Sequence, residues 1–285
     1  LRSFRRFSTP AYEIFGLALR KDHKQLRCDN GHSFDIARQG YVNLLGPSDK
    51  RSRDPGDSKA MVVARGKFLQ SGYYEPVAAK LAELVAPLVT DDAVIVDAGC
   101  GEGYYLERLR ASLDSKGSAA TTIIGFDISK WAVQAATRRM HATWMVASNR
   151  NIPLSPCSVD CLLSLFGFPV FDAFYALLKP GGTCITVTAG PKHLIELREV
   201  LYPRIKHTES TVVQQAVDAG FSAGELSTLE FATAPLSRVE INQLLSMTPH
   251  LFRASQDGKA HAARLESFSV TVQVRFQQLK KHSDK

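Results

Sequence analysis

The 285-residue sequence has no apolar run long enough to cross a lipid bilayer, and it contains only five cysteines. A membrane-spanning helix needs about 20 mostly apolar residues in succession, so we expect no membrane partner. The cysteines are scattered and odd in number, which argues against a disulfide framework and favours a reducing compartment. These absences predict a cytoplasmic protein.

Acidic residues are scarce at the start of the chain, which makes this end basic. Residues 1–53 contain eleven Lys/Arg and five Asp/Glu, and this excess of six positive charges accounts for most of the formal net charge of +7. A basic amino-terminal module beside a nearly neutral remainder is typical of a polyanion-binding unit attached to an enzyme. The alternative is a hydrated surface with no nucleic-acid partner, which a charge of this size also permits.

A glycine-rich turn follows a short β-branched run at residues 94–96. The run ends in Asp97, a helical pattern begins at residue 104, and between them stand three alternate glycines, Gly99, Gly101 and Gly103. Glycines allow the backbone to pass close beneath a ligand, and the amino terminus of a helix offers unpaired N–H groups. The order of strand, turn and helix therefore predicts a nucleotide-binding turn.

The spacing of this turn separates two classes of cofactor. Dinucleotide-binding turns have the pattern G-x-G-x-x-G/A, whereas this turn has G-x-G-x-G with Tyr104 at the third small position. Asp97 before the turn and Asp127 at the end of the next predicted strand resemble the S-adenosylmethionine (SAM) pattern of the class I methyltransferases. The resemblance implies that Asp97 lies near the methionine ammonium and Asp127 near the ribose hydroxyls.

Strand and helix patterns alternate regularly beyond the turn. Helical spacing covers 58–88 with a break near Gly72, and Ser129 is predicted to cap a helix; strands are predicted at 121–127, 143–147, 159–166, 183–188 and 267–276. Repeated βα units predict an α/β fold with a mostly parallel, Rossmann-like sheet and a ligand at the carboxyl ends of its strands. In class I methyltransferases the closing strand is antiparallel, and we expect this here.

Two segments closely resemble the large-subunit (23S) rRNA guanine-N(1) methyltransferases: Gly-Tyr-Val-Asn-Leu-Leu at 40–45 and Arg-Ser-Arg-Asp-Pro-Gly-Asp-Ser at 51–58. Those enzymes carry a Cys-x-x-Cys…Cys-x-x-x-His zinc ribbon ahead of the SAM-binding domain. Cys28 and His32 match the second pair, but Tyr12 and Phe15 stand where the family's spacing puts the first. We interpret Cys28 and His32 as remnants of a zinc site, and because two donors do not close a tetrahedral site, we expect no zinc.

The resemblance implies two domains. Residues 1–48 are expected to form a small, basic, ribbon-like RNA-recognition domain. Residues 49–285 are expected to form the SAM-dependent methyltransferase domain, with 49–90 as a linker and helical lead-in. In the loop that joins them, Arg51 and Arg53 are candidates for RNA phosphate contacts, and Asp54 and Asp57 are speculative candidates for the catalytic base. A hydrated linker is the alternative account of this loop.

Other cofactor contacts are carried over from the resemblance. Tyr74 and His193 match residues that lie on the SAM in the family, and Ser148 and Asn149 follow the third strand, where class I enzymes touch the adenine, although the usual acid is absent there. The complete set of candidate cofactor-binding residues is Tyr74, Asp97, Gly99, Gly101, Glu102, Gly103, Asp127, Ile128, Ser148, Asn149 and His193.

The fourth predicted strand ends in Phe166-Gly167-Phe168-Pro169 and lacks the Asn/Asp-Pro-Pro-aromatic motif of amino-methylating DNA enzymes. We interpret both phenylalanines as core residues. The resemblance implies methyl transfer from SAM to the ring N(1) of a guanine in a hairpin loop of large-subunit rRNA, where the pairing edge of the base is accessible.

Two alternatives stay open: a SAM-dependent methyltransferase that acts on a small molecule, and a non-catalytic RNA-binding protein with a vestigial SAM fold. The intact glycine turn disfavours the non-catalytic protein, and the concentrated amino-terminal charge disfavours the small-molecule enzyme. The sequence is compatible with a homodimer.

Overall fold

The structure is a computed structural model that describes residues 12–14, 17–46, 52, 54–90, 92–117, 120–205, 211–248 and 254–283, with the backbone alone at 12–14. Within these ranges the strands are β1 Tyr12–Ile14, β2 Leu17–Asp22, β3 Gln25–Arg27, β4 Ser33–Asp35, β5 Tyr41–Asn43, β6 Val94–Ala98, β7 Thr122–Asp127, β8 Thr143–Val146, β9 Val159–Leu165, β10 Leu178–Ala189, β11 Ser222–Ala232, β12 Leu236–Ser237, β13 Ser267–Phe268 and β14 Thr271–Lys280. The helices are α1 Lys59–Gln70, α2 Glu75–Val85, α3 Tyr104–Ser115, α4 Lys130–Ala136, α5 Phe171–Leu177, α6 Ile195–Leu201, α7 Val212–Asp218, α8 Arg238–Met247 and α9 Gln256–Ala262, with a 3-10 turn at Ala86–Leu88.

The main sheet has eight strands in the order β11-β14-β10-β9-β6-β7-β8-β5. The pairs from β10 through β5 are parallel, and β14 is antiparallel to both β10 and β11. This arrangement confirms the predicted α/β fold of a class I methyltransferase, with its mostly parallel sheet and antiparallel closing strand. The carboxyl ends of the parallel strands lie on the same side of the sheet, and the candidate site residues lie at these ends.

Helices cover both faces of the main sheet. Successive residues of a strand point to opposite sides, so each strand packs against both layers. Ile95 belongs to an apolar cluster with the buried residues of α2 and α3, whereas Val96 belongs to a second cluster with those of α5. This two-sided burial explains why the parallel strands have continuous apolar runs rather than alternating ones.

Side-chain caps fix where several helices begin. Ser58 accepts a hydrogen bond from the backbone N–H of Met61 and starts α1, and Ser129 accepts one from Ala132 and starts α4, as predicted. A capping box of Ser237 and Glu240 starts α8. Such caps satisfy N–H groups that a helix leaves unpaired in its first turn.

The amino-terminal module is a four-stranded antiparallel sheet in the order β1-β2-β3-β4. Its buried residues Leu19, Leu26 and Cys28 belong to the second apolar cluster of the main sheet. The next strand, β5, is parallel to β8, with Tyr41 opposite Trp144, so residues 41–43, before the expected boundary at residue 48, form the edge of the main sheet. The module therefore covers one end of the main sheet.

Some elements differ from the sequence-based expectations. Strand β10 begins at Leu178, ahead of the predicted strand at 183–188, with an irregularity in its register between Leu178 and Thr183. Strand β11 was not predicted, because most of its residues are exposed or half-exposed and it therefore lacks a strong apolar pattern.

Gly125 provides a test of the packing beneath the active site. A Cβ added there would overlap the side chain of the fully buried Trp144. We expect Gly125→Ala to lower the free energy of unfolding by about 1–3 kcal/mol through overpacking. In the matched variant Gly66→Ala, the new Cβ would make an ordinary contact 3.6 Å from Glu102, and removing a helical glycine should stabilise by about 0.5–1 kcal/mol. Urea denaturation measures both, and equal stability of the two variants would contradict this packing.

Candidate active site

The glycine turn lies between the carboxyl end of β6 and the first residue of α3. Gly99, Gly101 and Gly103 all have positive φ, at 92°, 55° and 84°. At Gly103 space is limiting as well, since an added Cβ would lie 3.0 Å from the Trp144 ring and 3.1 Å from the Ala136 Cβ. The turn can therefore keep its path only with glycine at these positions.

Three acidic side chains surround this turn. Asp127 is held by the backbone, because its carboxylate accepts hydrogen bonds from the N–H of Gly101 at 3.0 Å and of Ser129 at 2.7 Å. Glu102 accepts one from Arg139 at 3.0 Å. Asp97 is 1% exposed, and its buried Oδ1 has no hydrogen-bond partner among the described residues. Of these three acidic side chains, Asp97 alone has a buried oxygen that no described residue satisfies.

Burial raises the pKa of the Asp97 carboxyl well above its usual range, and the negative charges of Asp127 and Glu102 raise it further. Burial also raises the pKa of Glu102, against the opposing effect of Arg139. A pocket in which carboxylates repel one another favours a positively charged ligand. The ammonium and sulfonium groups of SAM are positively charged, whereas the pyrophosphate of a dinucleotide is negatively charged.

Tyr74 and His193, which are 119 positions apart in the sequence, are brought together by the fold. The Tyr74 hydroxyl and His193 Nε2 are 3.3 Å apart and share a hydrogen bond. The ring of Phe166 stacks on that of His193, with centroids 6.0 Å apart, and the ring of Tyr105 lies 6.3 Å from that of Phe166. These four aromatic residues form a wall beside the glycine turn, and this wall contains both residues that the resemblance assigns to SAM.

The loop that contains Asp54 and Asp57 is hydrogen-bonded to the residues that follow β7. Asp54 accepts a hydrogen bond from the indole N–H of Trp131 at 2.9 Å, and the Asp57 carbonyl accepts one from the Ser129 hydroxyl at 2.7 Å. A Cβ added at Gly56 would lie 2.8 Å from Ile128 Cγ2. The loop therefore covers Ile128, one of the candidate cofactor-binding residues.

Arg65 was missed by the sequence analysis. Its guanidinium forms an ion pair with Asp57 and donates a hydrogen bond to the Met247 carbonyl at 3.3 Å. It also lies 3.8 Å from the position that a Cβ at Gly101 would occupy. No sequence pattern indicated this role, because one arginine on a helix resembles any other until its distant partners are known.

The segments that follow β8 and β9 contact each other. Asn149, predicted near the adenine, donates a hydrogen bond from its side chain to the Phe168 carbonyl at 2.9 Å, and Ser148 accepts one from the backbone N–H of Arg150. The interpretation of Phe166 and Phe168 as core residues is wrong, since they are 40% and 91% exposed. Both follow the buried strand β9, and the apolar pattern of this strand does not show which residue is the last buried one.

The residues matched to a zinc site do not fit a zinc ion. Cys28 Sγ lies 3.2 Å from His32 Nδ1, but a structural zinc site takes four ligands. Tyr12 has only its backbone described, and Phe15, Arg51 and Arg53 lie outside the described residues. Across the described ranges there is no group of three or more His, Cys, Asp or Glu that could hold a metal. A search of the same residues for a helix long and apolar enough to cross a membrane finds none.

The unsatisfied Asp97 carboxyl leads to a prediction about ligand binding and stability. Because burial raises its pKa in the folded state, its contribution to stability is lost as the pH rises through that pKa. Asp97→Asn without ligand should therefore unfold at the same or a higher temperature than the wild type, with the difference growing as the pH rises from the ordinary pKa of an aspartate toward the raised pKa. Loss of a charged hydrogen bond should weaken SAM binding roughly 10- to 100-fold.

Isothermal titration calorimetry with SAM and thermal unfolding from acidic to alkaline pH measure these two effects. Asp172→Asn, at an exposed position in the first turn of α5, is the matched control and should change neither. SAM affinity that is unchanged in Asp97→Asn would disprove the assigned contact.

Comparison with known proteins agrees with this geometry. The family model described as "RlmA, N-terminal" matches residues 14–53, and the model described as "Methyltransferase domain" matches residues 95–182. The chain is 32% identical over 259 residues to "Putative 23S rRNA (guanine-N(1)-)-methyltransferase YxjB" of Bacillus subtilis, which covers 88% of this chain and 89% of that protein.

A second relative is 23S rRNA (guanine(748)-N(1))-methyltransferase of Streptomyces fradiae, which is 36% identical over 204 residues, or 69% of this chain and 70% of that protein. A similarly named protein of Micromonospora griseorubida is 32% identical over 271 residues, with 88% and 87% covered. With this level of identity over most of its length, the chain belongs to the family of 23S rRNA (guanine-N(1)-)-methyltransferases.

Proposed function

We propose that this protein transfers a methyl group from SAM to the ring N(1) of a guanine in a hairpin loop of large-subunit rRNA, in the cytoplasm. The observation that carries the proposal is the identity of 32–36% to three relatives that are named as 23S rRNA guanine-N(1) methyltransferases. The carboxylate-lined pocket supports the choice of a cationic methyl donor. The excess of positive charge in residues 1–53 supports an RNA substrate.

SAM, when bound, supplies an activated methyl group, so the protein mainly has to hold the guanine nitrogen in line with it. Asp97 would accept a hydrogen bond from the ammonium, and the glycine turn would lie beside the methionine portion. Tyr74 and His193 line the same end of the pocket. Asp127, Ile128, Ser148 and Asn149 lie around the expected ribose and adenine positions.

Guanine N(1) carries a proton in the neutral base, and this proton has to leave. Asp54 and Asp57 are the candidates that we propose for accepting it, directly or through water. In the ligand-free arrangement Asp54 is engaged by Trp131 and Asp57 by Arg65. Each carboxylate keeps a second oxygen that can accept a further hydrogen bond, and Arg51 and Arg53 would bind phosphates beside the same loop.

We infer that the amino-terminal module folds without zinc. Leu19, Leu26 and Cys28 belong to the same apolar cluster as the main sheet, so the module draws its stability from packing against the larger domain. Cys28 is 6% exposed and contacts His32 within the turn that joins β3 and β4. Aromatic side chains at positions 12 and 15 would provide an apolar plug where related proteins have two thiolates.

Methyl transfer to RNA tests the proposed function. We expect the protein to transfer labelled methyl groups from SAM to protein-free large-subunit rRNA, and mass spectrometry of the digested RNA should identify N(1)-methylguanine. Asp97→Asn serves as the control with weakened cofactor binding. SAM binding without any transfer to RNA would favour the alternative of a small-molecule substrate.

Chelation tests the zinc-free module. Treatment with 1,10-phenanthroline should leave the thermal unfolding midpoint and the rate of methyl transfer unchanged, because no ligand–metal bonds contribute to the fold. Elemental analysis of the purified protein should find far less than one zinc per chain. Stoichiometric zinc whose removal lowers the unfolding midpoint would overturn the inference.

A further inference from the structure

Phe168 lies at the carboxyl ends of the parallel strands, where the methyl donor is expected. It is in the turn after β9, and β9 is hydrogen-bonded to β6, with Asp97 paired with Leu163. At Gly167 an added Cβ would lie 3.8 Å from the Ala98 carbonyl oxygen, at the start of the glycine turn. The backbone before Phe168 therefore lies close to the backbone from which the cofactor turn begins.

The ring of Phe168 is left in solvent. At 91% exposure it is the most exposed large apolar side chain of the described residues, ahead of Val239 at 65% and Leu226 at 55%. Leaving an aromatic ring in water forgoes the favourable burial that such a side chain normally gains. Single exposed apolar residues are common on protein surfaces, so exposure alone does not indicate a function. The position of the ring and the contacts of its backbone provide the further evidence.

Two contacts fix the backbone around this exposed ring. The backbone N–H of Phe166 donates to the Val187 carbonyl at 2.8 Å, and the Asn149 side chain donates to the Phe168 carbonyl at 2.9 Å. Phe166 has a φ of 52°, a left-handed conformation that is an outlier for a bulky residue. Strain of this kind persists where the surrounding structure imposes it, and it is concentrated at binding and catalytic sites.

We propose that Phe168 is the surface on which the target guanine stacks, with Phe166 and Asn149 as positioning residues that hold it at the mouth of the cofactor pocket. This inference rests on the proposed function, because it assigns a residue to the substrate of that same site. A base taken out of an RNA loop has two flat faces that need a partner once they leave the stack. An aromatic ring on a backbone held in this way offers one of them a partner, and only its two side-chain torsions have to be ordered on binding.

Substitutions at Phe168 that separate aromatic stacking from apolar contact test the inference. Phe168→Ala and Phe168→Leu should each lower kcat/KM for protein-free large-subunit rRNA by roughly 10- to 100-fold, the range expected for one base–aromatic stack. Phe168→Tyr and Phe168→Trp should retain most of the activity. All four variants should keep the wild-type affinity for SAM and the wild-type unfolding midpoint, because the side chain contributes little to the core.

Leu226→Ala is the matched control, since it truncates another exposed apolar side chain on the edge strand β11, and it should behave as the wild type. Asn149→Ala, assayed with saturating SAM because Asn149 is also a candidate adenine contact, should lower activity less than Phe168→Ala, because it loosens the segment without removing the ring. Full activity of Phe168→Leu, or a loss of SAM affinity in Phe168→Ala that accounts for the whole defect, would overturn the inference. A wild-type protein that methylates no rRNA would overturn the proposed function, and the inference with it.

Discussion

The active site depends on one electrostatic constraint, which is the placement of three carboxyl groups around a single glycine turn. Two of them are compensated within the protein: Glu102 by Arg139, and Asp127 by the N–H groups of Gly101 and Ser129. The third, Asp97, is fully buried and has no described partner for its Oδ1. Since a buried charge is costly without a partner, this arrangement favours a positively charged ligand over an anionic one.

The same turn also lies close to the loop at residues 54–57, which Arg65 joins to it. Arg65 pairs with Asp57, lies close to Gly101, and donates to Met247 on α8. The loop at residues 54–57 rests on Ile128 and Ser129, while β5 extends the main sheet from the amino-terminal side. The loop is expected to meet RNA. A change in the loop would therefore reach the residues expected around the methyl donor through direct contacts.

The aromatic residues beside the turn divide into a buried and an exposed part. Tyr74 is 3% exposed and bonded to His193, and burial raises the pKa of its phenol. Phe166 bridges this buried wall to the exposed Phe168 through a strained backbone. The wall thus runs from the buried Tyr74 and His193 to Phe166 at the surface.

The sequence by itself determined the α/β class, the glycine turn with Asp97, the strand ending in Asp127 and the helix cap at Ser129, because each depends on local spacing or on residues a few positions apart. Only the tertiary structure decided that Tyr74 contacts His193, that Arg65 pairs with Asp57, that β5 joins the main sheet and that Phe168 is exposed. Those features depend on contacts between distant segments, and on which face of a strand end meets solvent. Local apolar patterns contain no information about either.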